Sequence, residues 1–191
     1  LPPLLKQYTQ RHPEVALDLH FLDSELAYQG VMDGTLEMAI VTLAPHPVEQ
    51  LQVVELWRDR LCFVCAKDHP LAQRSRADDK PLSLAELCEV NCILPGAKTF
   101  TRTLIGQRFE EAGLNLLVSM STNYLETLKM MCGVGLGWSL LPEKMLDSEL
   151  VALPVDTAPI HRPLGYLVHN NRTPSNAARK MIEQLEANRE T

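Results

Sequence analysis

The side chains able to do chemistry in this chain are hydroxyls, amides and thiols. The first two gather where apolar runs end and helical stretches begin. Thr42 and Leu43 follow the apolar run Met38 to Val41. Pro95, Gly96, Lys98, Thr99, Phe100 and Thr101 follow Cys92-Ile93-Leu94 and lead into a helical stretch that reaches Ala112. Ser121, Thr122 and Asn123 follow Leu116 to Met120 and open a second helical stretch. Open α/β sheets bind ligands beyond such strand ends. The first turn of a helix adds free N–H groups and a positive dipole end. This supply of donors suits a small anionic or strongly polar ligand. Gly96 would admit it close to the backbone, Thr99 would donate to its carboxylate and Lys98 would add charge. Plainer readings stand beside these: Thr99 or Thr101 as a helix cap, Lys98 as a solvated loop residue, Phe100 as core. The expected contacts are therefore Thr42, Leu43, Pro95, Gly96, Lys98, Thr99, Phe100, Thr101, Thr122 and Asn123.

A catalyst would need a nucleophile with its base, or paired carboxylates. His46, set between Pro45 and Pro47, is the histidine nearest these loops and reads as a loop residue. The run Gly133-Val134-Gly135-Leu136-Gly137 follows a helical stretch and precedes an apolar one, the reverse of a dinucleotide fingerprint. No catalytic residue, metal or cofactor is expected. The chain has 5 cysteines: Cys62, Cys65, Cys88, Cys92 and Cys132. An odd count without a secretory signal suggests reduced thiols in a cytosol. Cys62 and Cys65 form a CxxC inside the strand-like Arg60 to Ala66, so they should face opposite sides as apolar filler. Cys88 and Cys92 have no histidine close enough in sequence to complete a zinc signature.

The elements that position these loops repeat. The organising stretch, Asn115 to Pro142, reads as strand, helix, glycine turn, strand. Asn123 with Glu126 resembles a capping pair, Gly133 should end the helix, and the two strands of this βαβ unit are expected as parallel neighbours. Val15 to Phe21, a helix from Asp23 to Asp33, Gly34 and Met38 to Val41 follow the same order. Amphipathic helices precede both units, one marked by Leu4, Leu5 and Tyr8, the other by Leu104, Ile105 and Phe109. The order recurs at an offset of roughly one hundred residues, which indicates two similar α/β lobes. Further strands are expected at Leu51 to Leu56, Arg60 to Ala66, Leu150 to Val155 and Pro163 to Asn170. Ser83 should cap a short helix and Ser175 the last one. The composition turns polar from Lys67 to Lys80, which reads as a solvated loop at a lobe boundary. Lobe I is then 1–66 and 168–191, and lobe II is 67–167. The chain crosses twice, near Ala66 and near Leu167, which makes a hinge and a cleft.

Composition bounds the rest. The 191 residues are 46% hydrophobic and 22% charged, ordinary for a globular chain. The net charge of -6 argues against nucleic-acid binding by this segment, because phosphate contacts need clustered Lys and Arg. Lys67, Arg74, Arg76 and Lys80 share one stretch, but Asp68, Asp78 and Asp79 interrupt it. No apolar run approaches the ~18 residues of a membrane span. Leu1 to Lys6 has no basic segment or cleavage site of a signal peptide. The chain starts almost inside a helix, so a strand is expected ahead of it, in a longer protein.

Taken together, the landmarks resemble a known family over essentially the whole length. Leu1-Pro2-Pro3-Leu4-Leu5, His12-Pro13-Glu14-Val15 and Gly34-Thr35-Leu36-Glu37-Met38-Ala39-Ile40 come first. His69-Pro70-Leu71-Ala72, Leu82 to Leu87 and Gly133 to Pro142 follow. In this order and spacing they resemble the effector-binding domain of LysR-type transcriptional regulators. Glu37-Met38 stands where that family usually has Asp-Leu. The resemblance implies an α/β, two-lobed periplasmic-binding-protein-like (type II) fold with a double-crossover hinge. It implies a small-molecule effector in the interlobe cleft, and an N-terminal winged helix-turn-helix that binds DNA and is absent from this chain. It also implies a cytoplasmic homodimer that assembles further, to a homotetramer at full length. An antiparallel dimer would use the Val15 to Phe21 edge with the helices Asp23 to Asp33 and Thr122 to Cys132. A free solute-binding protein of the same fold is the alternative.

Overall fold

The computed structural model describes residues 1–78 and 80–189. These form two compact units, Leu1–Arg58 with the stretch from Pro163 on, and Asp59–Arg162. The divisions thus lie earlier in both connecting strands than the expected Ala66 and Leu167. Composition changes where a strand ends, whereas the chain passes from unit to unit inside it. Asp79 in the expected loop, and residues 190–191 of the expected lobe I, lie outside the described residues.

In the first unit, α1 (Pro2–Arg11) and α7 (Asn176–Glu186) pack together. Leu4 and Tyr8 of one meet Met181 and Leu185 of the other, over Leu56, Tyr166 and Val168. Tyr8 Oη donates to Ala177 O at 2.8 Å, and Gln184 Nε2 to Leu4 O at 2.6 Å. Ser175 caps α7 as expected, accepting from Ala178 N at 3.1 Å. α2 (Ser24–Asp33) ends at Gly34, whose φ of 87° is left-handed. It leads to β1 (Met38–Thr42), which pairs antiparallel with β7 (Ile160–His169). Arg172 closes the helix, donating to Val31 O at 2.7 Å and Met32 O at 2.9 Å.

The expected strand Val15 to Phe21 is not formed among the described residues. Val15 and Leu17 pack against the first core, but Leu19 and Phe21 are exposed, Phe21 at 94%. Alternation alone does not make a strand where no described segment offers it a ladder.

In the second unit a sheet separates two cores. The two runs Leu51 to Leu56 and Arg60 to Ala66 are one strand, β2 (Leu51–Ala66), because nothing between them breaks the extended backbone. Along it Leu61, Phe63 and Cys65 enter one core, while Cys62 and Val64 enter the other. The CxxC therefore straddles the sheet as its period of two requires. β3 (Cys92–Leu94) alternates in the same way, Cys92 and Leu94 against Ile93. β5 (Ser139–Pro142) and β6 (Leu150–Ala152) both pair antiparallel with β2. β4 (Val118–Ser121) pairs parallel with β3.

The strands on either side of the helix at 125–133 are not neighbours, contrary to the expected adjacency. β3 lies between them, bonded to β4 on one side and bridged to Trp138, just before β5, on the other. The most apolar strand takes the middle because only there are both faces covered. Trp138 stacks on Phe109 at 5.9 Å, and its Nε1 donates to Leu87 O at 2.8 Å. α4 (Leu84–Cys88) is capped by Ser83 as expected, and Glu86 adds a reciprocal bond to the cap. α6 (Leu125–Gly133) runs one residue past its expected stop, and Gly135 takes the positive φ of 82° instead of Gly133.

The polar stretch read as a loop is a helix, α3 (Pro70–Asp78). Pro70 suits the first helical position, and Leu71 and Ala72 are buried. Arg74 meets Glu86 at 2.9 Å and Glu89 at 3.5 Å, so this basic residue is spent on α4 and the turn after it. His69 stands before α3, where its Nδ1 accepts from Leu71 N at 3.2 Å. It is 7% exposed, and burial pushes its pKa below the usual histidine value, with Asp68 opposing. The folded state thus binds the proton more weakly than the unfolded chain. The contribution of neutral His69 is full above the unfolded pKa of about 6.5 and is lost as pH falls below it toward the folded value. Urea unfolding at pH 7.5 and pH 5 should therefore show a loss on acidification that shrinks in His69→Asn. An identical loss in both proteins would remove His69 from that role.

Candidate functional site

The expected site residues of the second unit surround the start of α5 (Phe100–Glu111). β3 ends at the buried Leu94, and the chain emerges through Pro95 and the half-buried Gly96. Gly96 N donates to Asn123 Oδ1 at 2.9 Å. A Cβ on residue 96 would sit 2.9 Å from that same oxygen, so glycine is what allows the two loops to meet. Asn123 was expected to help cap its own helix. Its carbonyl instead takes an N–H from the neighbouring loop, and the residue before the helix, Tyr124, makes no side-chain cap. Thr122 Oγ1 accepts from Tyr124 N at 3.3 Å.

Thr99 is a cap. Its hydroxyl accepts from Arg102 N at 3.2 Å and donates to Gly96 O at 2.9 Å. A hydroxyl has one hydrogen, and here the turn uses it. The donor role read from sequence for Thr99 is therefore already occupied in this arrangement. Thr101 is 9% exposed, and its hydroxyl makes no hydrogen bond among the described residues. Phe100 is half-buried and Lys98 is exposed. The first turn of α5 holds Arg102 and no acidic residue. With Lys98 just before it, the helix start has a positive dipole end and two cations nearby, a favourable field for an anion.

In the first unit Thr42 and Leu43 are buried at the end of β1. Their amides are committed: Thr42 N to Ser24 Oγ at 3.2 Å and Leu43 N to Pro163 O at 2.9 Å. Ala44 N donates to Tyr28 Oη at 2.9 Å. Ser24 and Tyr28 are supports that sequence reasoning missed. Their spacing of four places both on one helix face, but nothing local says that this face meets the end of β1.

The thiols are poor reagents. Burial pushes Cys65 up to about 11, and Cys92 and Cys132 up to about 12. A thiol is nucleophilic as its thiolate, so these three stay inert at neutral pH. A shallow groove of about 240 Å³ lies along α6, lined by Glu126, Lys129, Met130, Val134, Asp147 and Glu149. It is acid-rich and does not include the candidate loops.

With this geometry in view, comparison with known proteins identifies relatives. The family described as the LysR substrate binding domain matches residues 1–190. An uncharacterized HTH-type transcriptional regulator, YwqM, of Bacillus subtilis is 27% identical over 155 residues, 80% of this chain and 50% of that one. A probable nitrogen assimilation transcriptional activator of Synechococcus elongatus is 28% identical over 161 residues, 81% of this chain and 50% of that one. The chain thus spans about half the length of these relatives. Two solved structures share the fold. The Synechocystis PCC6803 CcmR regulatory domain, in complex with 2-PG, has a TM-score of 0.84 at 21% identity, covering 97% of this chain and 89% of that one. The effector binding domain of QuiR, in complex with shikimate, has a TM-score of 0.83 at 16% identity, covering 97% and 88%.

Because Thr99 is the cap, Thr99→Val should lower the stability of the ligand-free protein by about 1 kcal/mol, within the 0.5–2 typical of a lost N-cap. Chemical denaturation reads this directly. Unchanged stability would mean that the hydroxyl is not holding α5.

Proposed function

The chain belongs to the LysR substrate binding domain family, and on that premise we propose that it senses a small anionic or polar metabolite for a longer, DNA-binding transcription regulator. Its fold is the two-lobed periplasmic-binding-protein-like fold of that family. The observation that carries the ligand class is the start of α5. There a helix dipole end, Lys98 and Arg102 meet no acidic residue in the first turn, and the Thr101 hydroxyl is unspent. The acidic end of the effector is assigned to Gly96 through Thr101, with Thr122 and Asn123 at the adjoining loop. Pro95 shapes the turn. Thr42 and Leu43 are proposed contacts on the family resemblance. Shikimate, held by the QuiR domain, is a hydroxylated carboxylate of the chemistry proposed.

The effector is bound and released unchanged, in the cytosol. The relatives are named as transcription regulators rather than enzymes, which supports a non-catalytic role. Among the described residues no helix is long and apolar enough to cross a membrane. DNA is bound by a winged helix-turn-helix outside this chain, in keeping with the net charge of -6. Relatives of which the matched segment makes up only 50% favour that reading over a free solute-binding protein.

The chain also pairs with a second copy of itself. Leu19, Phe21 and Leu22 are exposed before α2, and Leu26 is exposed on it. Tyr124 is exposed at the start of α6, with Met130 on it and Val134 and Leu136 after it. Apolar side chains gathered in this way mark interaction surfaces. Leu128, within the helix expected at the interface, is fully buried and belongs to the core. Sedimentation velocity at micromolar concentration should show a dimer that Leu26→Glu or Met130→Glu dissociates. A wild-type monomer would sink the pairing.

The ligand class is tested by thermal shift with shikimate, sugar phosphates and their neutral analogues. A hundredfold excess over the dissociation constant stabilises by about 2.7 kcal/mol, roughly 5–10 °C for a chain of this size. Only the anionic compounds should produce such a rise. Equal shifts from the neutral analogues would overturn the assignment.

A further inference from the structure

We propose that Asp59 and Arg162 form a clasp that makes the two strands connecting the units move as one. The second unit begins at Asp59 and ends at Arg162. The side chains of these two residues are joined, Arg162 Nη2 to Asp59 Oδ2, at 2.6 Å. The entry and exit of the unit are therefore tied to each other by an ion pair. It is no surface ornament: the side chains are only 13% and 17% exposed. Exposed pairs contribute little, whereas removing one partner of a shielded pair leaves a costly uncompensated charge. Arg162 Nε is buried without an acceptor among the described residues. The guanidinium thus depends on Asp59 rather than on a general polar surrounding.

The neighbouring residues give the clasp its meaning. β2 and β7 are adjacent in the sheet. On the first unit's side, β7 is buried at Gly165, where any Cβ would run into the Val54 carbonyl of β2. The two backbones are locked there by contact, and only glycine fits. Between Gly165 and the ion pair stands Pro163. It has no N–H to give to a ladder, and its own carbonyl is taken by Leu43 N at 2.9 Å. Its missing donor therefore faces β1, while β7 and β2 are held to either side of it by two firm ties, one steric and one ionic. A displacement of either strand beside the pair is passed to the other through the clasp.

The test is amide hydrogen exchange on the ligand-free protein, so its outcome is independent of whether the effector assignment holds. Asp59→Asn keeps the shape and removes the charge. Arg162→Lys keeps the charge and loses the planar fork. Both should reduce protection by about tenfold in peptides covering 57–61 and also 160–164, while β1, β3 and α5 keep theirs. Loss in both connectors on changing either partner is the signature of coupling. Unchanged protection in both connectors, loss confined to the mutated strand, or loss spread through β3 and α5 would each overturn the proposal.

Discussion

The second unit depends on β3 being buried on both faces. Cys92 and Leu94 enter one core and Ile93 the other, and all three are fully inaccessible. A strand so placed cannot leave a polar group to water, so its neighbours must satisfy it. They do. Ile93 N donates to Trp138 O at 2.9 Å, Ser139 Oγ to Ile93 O at 2.7 Å and Ser119 Oγ to Cys92 O at 3.2 Å. The central position of β3, the strands on its two sides and the serines among them follow from this one requirement.

The same burial creates the candidate site. Leu94 is the last inaccessible residue of β3, and only two residues later the chain is half-exposed at Gly96. The turn is then stiffened from within by Thr99 and from the side by Asn123. Recognition is left to groups that the turn does not consume: the dipole of α5, the nearby cations and the Thr101 hydroxyl. A helix terminus gives an anion about 0.3–1 kcal/mol when exposed and up to about 2 when partly buried. Several weak, pre-set contributions of this kind, with no reorganisation to oppose them, suit reversible sensing better than chemistry. The high thiol pKa values at Cys65, Cys92 and Cys132 come from the same dry interior.

The first unit is held differently. Its core is made by the two ends of the chain, with α1 against α7 through Tyr8, Met181 and Leu185. Side-chain hydrogen bonds to backbone, from Tyr8 and the buried Gln184, fix their register. Such a unit closes only when the whole chain is present, because its first and last helices are mutual partners. The second unit is continuous in sequence, and its two ends meet in the Asp59–Arg162 pair.

What the sequence alone determined is whatever a few neighbouring residues decide. Ser83 and Ser175 announced their helices, Gly34 its helix end, and the alternation of Arg60 to Ala66 put Cys62 and Cys65 on opposite faces, since caps, left-handed turns and the period of two are local. The ordered landmarks from Leu1 to Pro142 also carried the family. Tertiary structure decided the rest. It placed β3 between β4 and β5, joined two expected strands into β2, made a helix of the polar stretch beginning at Pro70, and left Val15 to Phe21 without a ladder. It sent the Asn123 carbonyl to Gly96 rather than to its own helix, and spent the Thr99 hydroxyl inside a turn. Each of these outcomes is a competition among partners distant in sequence or equal in local preference. Packing, by deciding which groups lose water, settles such competitions.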